Sequence, residues 1–266
     1  MHYIVFDLEF NQDIPSVQEA LRTDLLTNAP ANLDETQTDK KEPSKLSYEI
    51  IQIGALKLDE RYQTIGTFNC FIKPSLYSDV NPIITGLTGI TTEMLKEGEP
   101  FPKAYKSFLE FMNDSFSILC VWGMSDLKVL YKNAEYHKLD VKPIPRMYIN
   151  IQPFVPKYLK LTDKKLLRLQ TAAELLNIPV THEFHNAFYD SYYTAEIFKK
   201  INNGDMQPKA YDPAFVTIRP RQPKRTINFP KLIAQIEKMY DRTMTEEEQE
   251  IIKLAYKMGR TNQFVD

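Results

Sequence analysis

The chain opens on an apolar run, Tyr3-Ile4-Val5-Phe6, that predicts a first strand over residues 3–8. A polar stretch follows over residues 12–45. Inside it, Ser16 and Glu19 have capping-box spacing ahead of Ala20-Leu21 and Leu25-Leu26, which predicts one short helix. The remainder, rich in Pro, Asn, Thr, Asp and Lys, reads as a mobile insertion. Residues 48–56 and 67–72 are β-rich and separated by the polar Asp59-Glu60-Arg61, so a hairpin is expected. Helical spacing returns over residues 100–113, with Tyr105, Phe108, Leu109 and Met112 on one face.

The continuous apolar run at residues 116–121 predicts a buried strand. A helix over residues 126–137 turns Leu127, Leu130 and Tyr131 inward. Residues 147–151 read as a strand, and residues 169–176 and 187–201 as helices. Three strands followed by alternating strands and helices imply an α/β fold, with a mixed five-stranded sheet flanked by helices. An antiparallel meander lies on one side and parallel strands are central.

After residue 204 the character changes. Arg219, Arg221, Lys224, Arg225 and Lys231 fall within 13 residues that hold three prolines and no acid. Two helices are expected beyond them. The second has Thr245 as N-cap, Glu248 at the capping-box position and Gly259 just past its end. The expected division is therefore a domain over residues 1–204 and a basic linker with a helical extension over residues 205–266.

Composition narrows the classes. The 266 residues are 43% hydrophobic and 26% charged, which is ordinary for a globular chain. With 33 Lys+Arg against 35 Asp+Glu there is no global basic field, so a nucleic acid would have to be held locally. Cys70 and Cys120 lie in apolar runs and read as buried free thiols of a reducing compartment. No apolar stretch approaches the roughly 20 residues of a membrane helix. A cytoplasmic location without a membrane partner is expected.

Candidate chemistry lies in the acids. Asp7 and Glu9 are two apart on a strand, so both point to one face. Alone, such a pair is more often a solvated strand end. If buried, the two carboxylates need a cation, and hard oxygen donors suit Mg²⁺ or Mn²⁺. Asp126 follows a buried strand and the Trp122-Gly123-Met124-Ser125 turn, at a helix start where an acid also suits the dipole. The carboxyl end of a strand in an α/β sheet is where sites are built. His185 precedes a helix whose first turns hold Asp190 amid Phe188, Tyr189, Tyr192 and Tyr193.

Taken together, a D-x-E strand, an Asp after a central strand and an H-x₄-D helix start resemble the DnaQ-like DEDDh exonuclease family. The stretches Glu49-Ile50-Ile51-Gln52-Ile53-Gly54-Ala55, Phe71-Ile72-Lys73-Pro74 and Leu87-Thr88-Gly89-Ile90-Thr91 are similar to that family too. The Trp122-Gly123-x-x-Asp126 form is similar to the branch of RNA 3′-end exonucleases and the bacterial sporulation-inhibitor type. The likeness spans about residues 3–201.

This resemblance implies an RNase H-like fold and a two-metal 3′→5′ exonuclease that releases nucleoside 5′-monophosphates from RNA or single-stranded DNA 3′ ends. It makes Asp7 the ligand shared by both ions. Glu9 and Asp190 complete one site, Asp126 holds the second ion through water, and His185 is the general base. It also places Thr88, Gly89 and Ile90 around the 3′ nucleotide.

Phe10 and Asn11, just after the first motif, are further candidates for substrate contact. Phe10 can wedge against a terminal base, where stacking is worth roughly 1–3 kcal/mol, or serve as a core residue. Residues 12–45 are longer than the family's usual connection and leave the chain beside the catalytic strand. The basic segment can track a phosphate backbone or simply be solvated, and the terminal helices offer a partner or dimer contact. An alternative reading is a catalytically weak or silent nucleic-acid-binding or scaffold protein on the same fold.

Overall fold

A computed structural model gives the fold and describes residues 1–12, 46–113, 116–162, 165–213 and 228–260. The short helix expected after Ser16 and the insertion around it lie outside the described residues, as do Arg219, Arg221, Lys224 and Arg225.

The first strand, β1 (His2–Asn11), serves two core layers at once. Its even residues Ile4, Phe6 and Leu8 enter one layer, and its odd residues Tyr3 and Val5 enter the other, as the two-residue period of a strand requires. β2 (Glu49–Leu58) is buried along its whole length and pairs antiparallel with β1; β3 (Thr64–Lys73) pairs antiparallel with β2. The turn between β2 and β3 is organised by Asp59, whose carboxylate accepts from the Arg61 and Gln63 N–H groups, both at 2.8 Å.

Two short helices come next, α1 (Pro82–Thr88) and α2 (Thr92–Lys96), in a stretch for which the sequence analysis predicts no element. Then come β4 (Glu99–Pro100), α3 (Phe101–Met112), β5 (Ser117–Val121), α4 (Ser125–Tyr136) and β6 (Met147–Asn150). They are followed by α5 (Phe154–Tyr158), α6 (Leu169–Leu175), α7 (Ala187–Ile201) and β7 (Lys209–Ala210).

The sheet order is β4-β3-β2-β1-β5-β6-β7, with β1, β5 and β6 parallel. The architecture is the expected mixed sheet with flanking helices, widened from five strands to seven by two-residue strands at its edges. Side chains of α3 and α4 fill the layer under Ile4 and Phe6. On the opposite face α6 and α7 supply Ala172, Ala173, Tyr193 and Phe198. The free thiols divide: Cys120 is buried in β5, whereas Cys70 is only partly so, a departure from the expected burial of both.

The described parts of the chain form two compact units, Met1–Phe215 and Val216–Asp266. The second contains α8 (Phe229–Tyr240) and α9 (Glu246–Arg260). Between them the expected capping box is present. The Thr245 N–H donates to Glu248 Oε2 at 2.9 Å, and the Glu248 N–H donates to Thr245 Oγ1 at 3.3 Å. Arg242 adds a two-pronged contact to the same Glu248 carboxylate, at 2.6 and 2.9 Å. Gly259 stands inside α9 and not beyond its end, so here glycine does not mark the stop. No helix among the described residues is long and apolar enough to cross a membrane.

Candidate active site

The odd-numbered face of β1 begins apolar, with Tyr3 and Val5, and continues as Asp7 and Glu9. Both acids therefore occupy positions where the strand's period calls for core residues. β5 partners β1 only from His2 to Val5, so the two acids extend past the end of that neighbour into a crevice. β5 is followed by a tight turn in which Gly123 takes φ +95°, a conformation glycine adopts without the steric cost of a side chain. The Gly123 N–H is tied to Asn150 Oδ1 at 3.1 Å. This turn starts α4 beside β1 and brings in Asp126, which is buried and accepts a long contact from the Ser125 hydroxyl at 3.4 Å.

From the other side comes α7. Asn186 caps it, its Oδ1 accepting from the Phe188 and Tyr189 N–H groups at 3.1 and 3.4 Å. The helix packs onto β2 at Gly54, where a Cβ would lie 2.2 Å from Ala187 C and Phe188 N. Gly54 is opposite Asp7 in the ladder and Gln52 is opposite Glu9, so all four share one face. The close approach at Gly54 lowers buried Asp190 onto the two acids. One oxygen each from Asp7, Glu9 and Asp190 lie within 4.8 Å of one another.

The electrostatics follow from this crowding. Burial raises the Asp7 carboxyl well above its ordinary range, and the charges of Asp126, Asp190 and Glu9 add to the effect. Glu9 is pushed up to about 8 by burial and by Asp190 and Asp126. Burial also raises Asp126 and Asp190. In part offset, the Leu8 N–H faces Asp7 and Asp126, and the His185 N–H donates to Asp190 Oδ2 at 3.1 Å. Asp190 Oδ1 is buried and has no hydrogen-bond partner. Four carboxyl groups with too few donors are the surroundings a hard divalent cation satisfies. The donor set therefore fits the implied metal.

His185 is exposed at the mouth of this cluster, and its backbone takes φ +66°. A cleft of about 480 Å³ lies nearby, lined by Thr88 and Gly89 from one segment and by His182, Asn186 and Tyr189 from another. The His182 and Tyr189 rings stack at 4.1 Å and 10°.

The remaining expected contacts are dispersed. Phe10 is half-buried and meets Tyr48 edge-on at 5.1 Å. Asn11 is wholly buried, and its amide bridges Asp79 O and the Asn81 N–H, both at 2.9 Å. Ile90 is buried against Ile51, Val80 and Leu95. The Asn11 and Ile90 side chains thus hold the frame and do not reach the cleft.

The sequence places Glu49 and Gln52 in a family-like stretch and assigns neither of them a role. Glu49 is a buried carboxylate that accepts from the N–H groups of Ser75, Leu76 and Tyr77 and from the Ser75 hydroxyl, at 2.6–3.0 Å. The signal available was a polar residue at the start of the apolar strand, for Glu49, and inside it, for Gln52.

A model of the exonuclease family matches residues 35–198, well over half of the 266 residues. The chain belongs to this exonuclease family. The matched stretch starts after β1, so Asp7 and Glu9 lie outside it, and it is the fold that brings them to Asp190.

The exonuclease chain is 30% identical over 166 residues to DNA polymerase III PolC-type of Caldanaerobacter subterraneus subsp. tengcongensis, covering 59% of this chain and 11% of that one. It is 24% identical over 173 residues to 3'-5' exoribonuclease 1 of Rattus norvegicus, covering 61% and 49%. It is 23% identical over 169 residues to the probable 3'-5' exonuclease KapD of Bacillus subtilis, covering 61% and 77%. The match thus takes in a small part of the polymerase and about half of the exoribonuclease.

Among solved structures, the nuclease domain of 3'hExo, a DEDDh family member bound to rAMP, superposes with a TM-score of 0.59 at 18% identity, covering 79% of this chain and 96% of that one. Cell-death related nuclease 4 gives 0.58 at 16%, covering 79% and 66%. The exonuclease fold is common to all of them.

Proposed function

We propose that this exonuclease-family protein removes nucleotides one at a time from the 3′ end of a single-stranded nucleic acid, RNA foremost, by metal-dependent hydrolysis. The observation that carries the reading is the convergence of Asp7, Glu9, Asp126 and Asp190 from three separate elements, with His185 exposed beside them. A scaffold has no need to bury four acids together, since each uncompensated charge costs stability.

Asp7, Glu9 and Asp190 would hold one divalent ion, Mg²⁺ or Mn²⁺, with Asp7 shared and Asp126 completing a second position. Ions bound there would supply charge stabilisation at the phosphate and a more acidic water. The chain does the rest. His185, anchored through its N–H to Asp190, accepts the proton of the attacking water. Imidazole suits this because a neutral ring presents one nitrogen lone pair that can accept a proton.

The cleft between Thr88–Gly89 and His182–Tyr189 accepts the terminal nucleotide. Its volume falls within the range of small-molecule sites. The Thr88 hydroxyl donates to Ile84 O at 2.8 Å and accepts from the Ile90 N–H at 3.1 Å, so it shapes the wall. Phe10, on the strand that carries the acids, offers a ring edge to the preceding base. The preference for RNA draws on the relative called an exoribonuclease and on the solved nuclease domain bound to rAMP.

The test is a 5′-labelled RNA and DNA oligonucleotide pair incubated with Mn²⁺. A ladder shortening from the 3′ end, with nucleoside 5′-monophosphates released, is expected from the wild-type chain and not from Asp7→Ala. Intact substrates with wild type, or equal shortening by Asp7→Ala, would overturn the assignment.

A further inference from the structure

We propose that Gln52 is a positioning residue that fixes the first turn of α7 and so presents His185 to the reaction; this rests on the nuclease reading above. Gln52 is fully buried between Ile51 and Ile53 and stands across the ladder from Glu9. Its side chain uses both ends of its amide. Oε1 accepts from the Ala187 N–H at 3.2 Å, while Nε2 donates to Asn69 Oδ1 at 3.0 Å and to Asn186 Oδ1 at 3.3 Å.

Asn186 cannot turn to suit a different partner. Its Oδ1 is committed to the Phe188 and Tyr189 N–H groups as the helix cap. Whatever faces it from β2 must be a donor, and whatever faces the Ala187 N–H must be an acceptor. A glutamine amide meets both demands from one side chain.

The segment held in this way is the one that carries His185. That residue has φ +66°, a region disfavoured for a side chain with a Cβ, so neighbouring contacts must hold it there. On one side its N–H is bound to Asp190, and on the other the Gln52–Asn186 contact secures the cap. The body of α7 is anchored separately, through Tyr193, Phe198 and Ile201 in the core. Loss of Gln52 therefore loosens residues 185–187, while Asp190, in the same first turn, is held from behind by the anchored body of the helix. The consequence is a defect in turnover without one in metal binding.

The experiment uses the full chain and Gln52→Met, which keeps the length of the side chain and removes both hydrogen-bonding ends. Three quantities are measured: kcat and KM on a 3′ single-stranded oligonucleotide, Mn²⁺ affinity by electron paramagnetic resonance, and amide exchange in the metal-free protein. The expected result is a kcat lowered about a hundredfold, the loss that a misplacement near 1 Å brings, with KM and Mn²⁺ affinity unchanged. Exchange should quicken at Ala187 and Phe188 and stay slow through the rest of α7.

Gln52→Glu keeps the acceptor for Ala187 and sets a second acceptor against Asn186 Oδ1. It should also lower kcat, and it carries the test if the methionine variant does not fold. Faster exchange with unchanged kcat would make Gln52 structural only and overturn the proposal, as would joint loss of kcat and Mn²⁺ affinity. An inactive wild type would refute the nuclease reading itself, and unaltered exchange at Ala187 would refute the positioning claim whatever the activity.

Discussion

Asp7 and Gly54 face each other across the β1–β2 ladder, and the side chain that Gly54 lacks is the space through which α7 comes down onto Asp7. The clash in Gly54→Ala is with backbone, which cannot rotate aside. We expect Gly54→Ala to destabilise the fold by about 1–3 kcal/mol, the usual cost of overpacking. Nuclease activity should fall by more than the stability loss explains, because Asp190 is carried away with the helix. Urea denaturation and oligonucleotide shortening at one temperature check the two parts, and a fully active, unperturbed Gly54→Ala would contradict the packing described.

The raised carboxyl groups make a pH prediction with a definite sign. Glu9 would ordinarily release its proton near 4.5, and in the folded protein it holds it up to about 8. Across that window the folded state binds more protons than the unfolded state, so stability falls as pH rises. Asp7, Asp126 and Asp190 are raised too and act in the same direction. The melting temperature of chelator-treated protein should therefore decline through this window, and Mn²⁺ should restore most of the loss at its alkaline end. Asp190→Asn removes one charge: the metal-free melting temperature at alkaline pH should rise while the Mn²⁺ effect disappears. A chelated protein whose stability climbs over the same window would exclude the cluster as drawn.

Under the proposed function, His185 serves the chemistry and not the metal. It contributes a backbone N–H to Asp190, which any residue but proline retains, and an exposed imidazole. His185→Ala should lower kcat by about 10²–10⁴, the range for a general base, with the Mn²⁺-induced rise in melting temperature kept. Equal loss of both would mean that the imidazole serves as a ligand.

Spacing shows part of this arrangement, and the grouping of its acids was legible only through the family resemblance. Asp7-x-Glu9 shows one face because a strand alternates, and the limits of α7 followed from its apolar period. Asp126 was legible as an acid just after a buried run. What escaped are polar residues whose partners lie far along the chain. Gln52 meets Asn186 across 134 positions, and the Ile50 N–H donates to Asn133 Oδ1 across 83. No local pattern encodes such pairs. Asn11 was misleading for the same reason, since a polar residue beside a catalytic motif looks like a substrate contact until its bonds to Asp79 and Asn81 are seen. The helix α1 was missed although Asn81-Pro82 is a cap followed by a favoured first residue.

Glu49 offers a test of the substrate wall. Its carboxylate gathers the N–H groups of Ser75, Leu76 and Tyr77 and anchors the segment that leads into α1 and on to Thr88 and Gly89. Glu49→Gln replaces one acceptor oxygen with a donor, and we expect a stability loss of about 1–3 kcal/mol. KM should rise more than kcat falls, because the wall moves and the carboxylates stay. A change confined to kcat would show that this segment does not bound the substrate.

The first eleven residues are the hub of the sheet although they stand at one end of the sequence. β1 is hydrogen-bonded on both sides, to β2 and to β5, which themselves lie far apart along the chain. Remove it and the remaining strands separate into two halves with no ladder between them. Shortened versions of this chain that begin at the family match should therefore be insoluble rather than merely inactive. Damage to β1 would unmake the sheet, so a folded but inert form is to be sought in point changes at the site and not in removal of this strand.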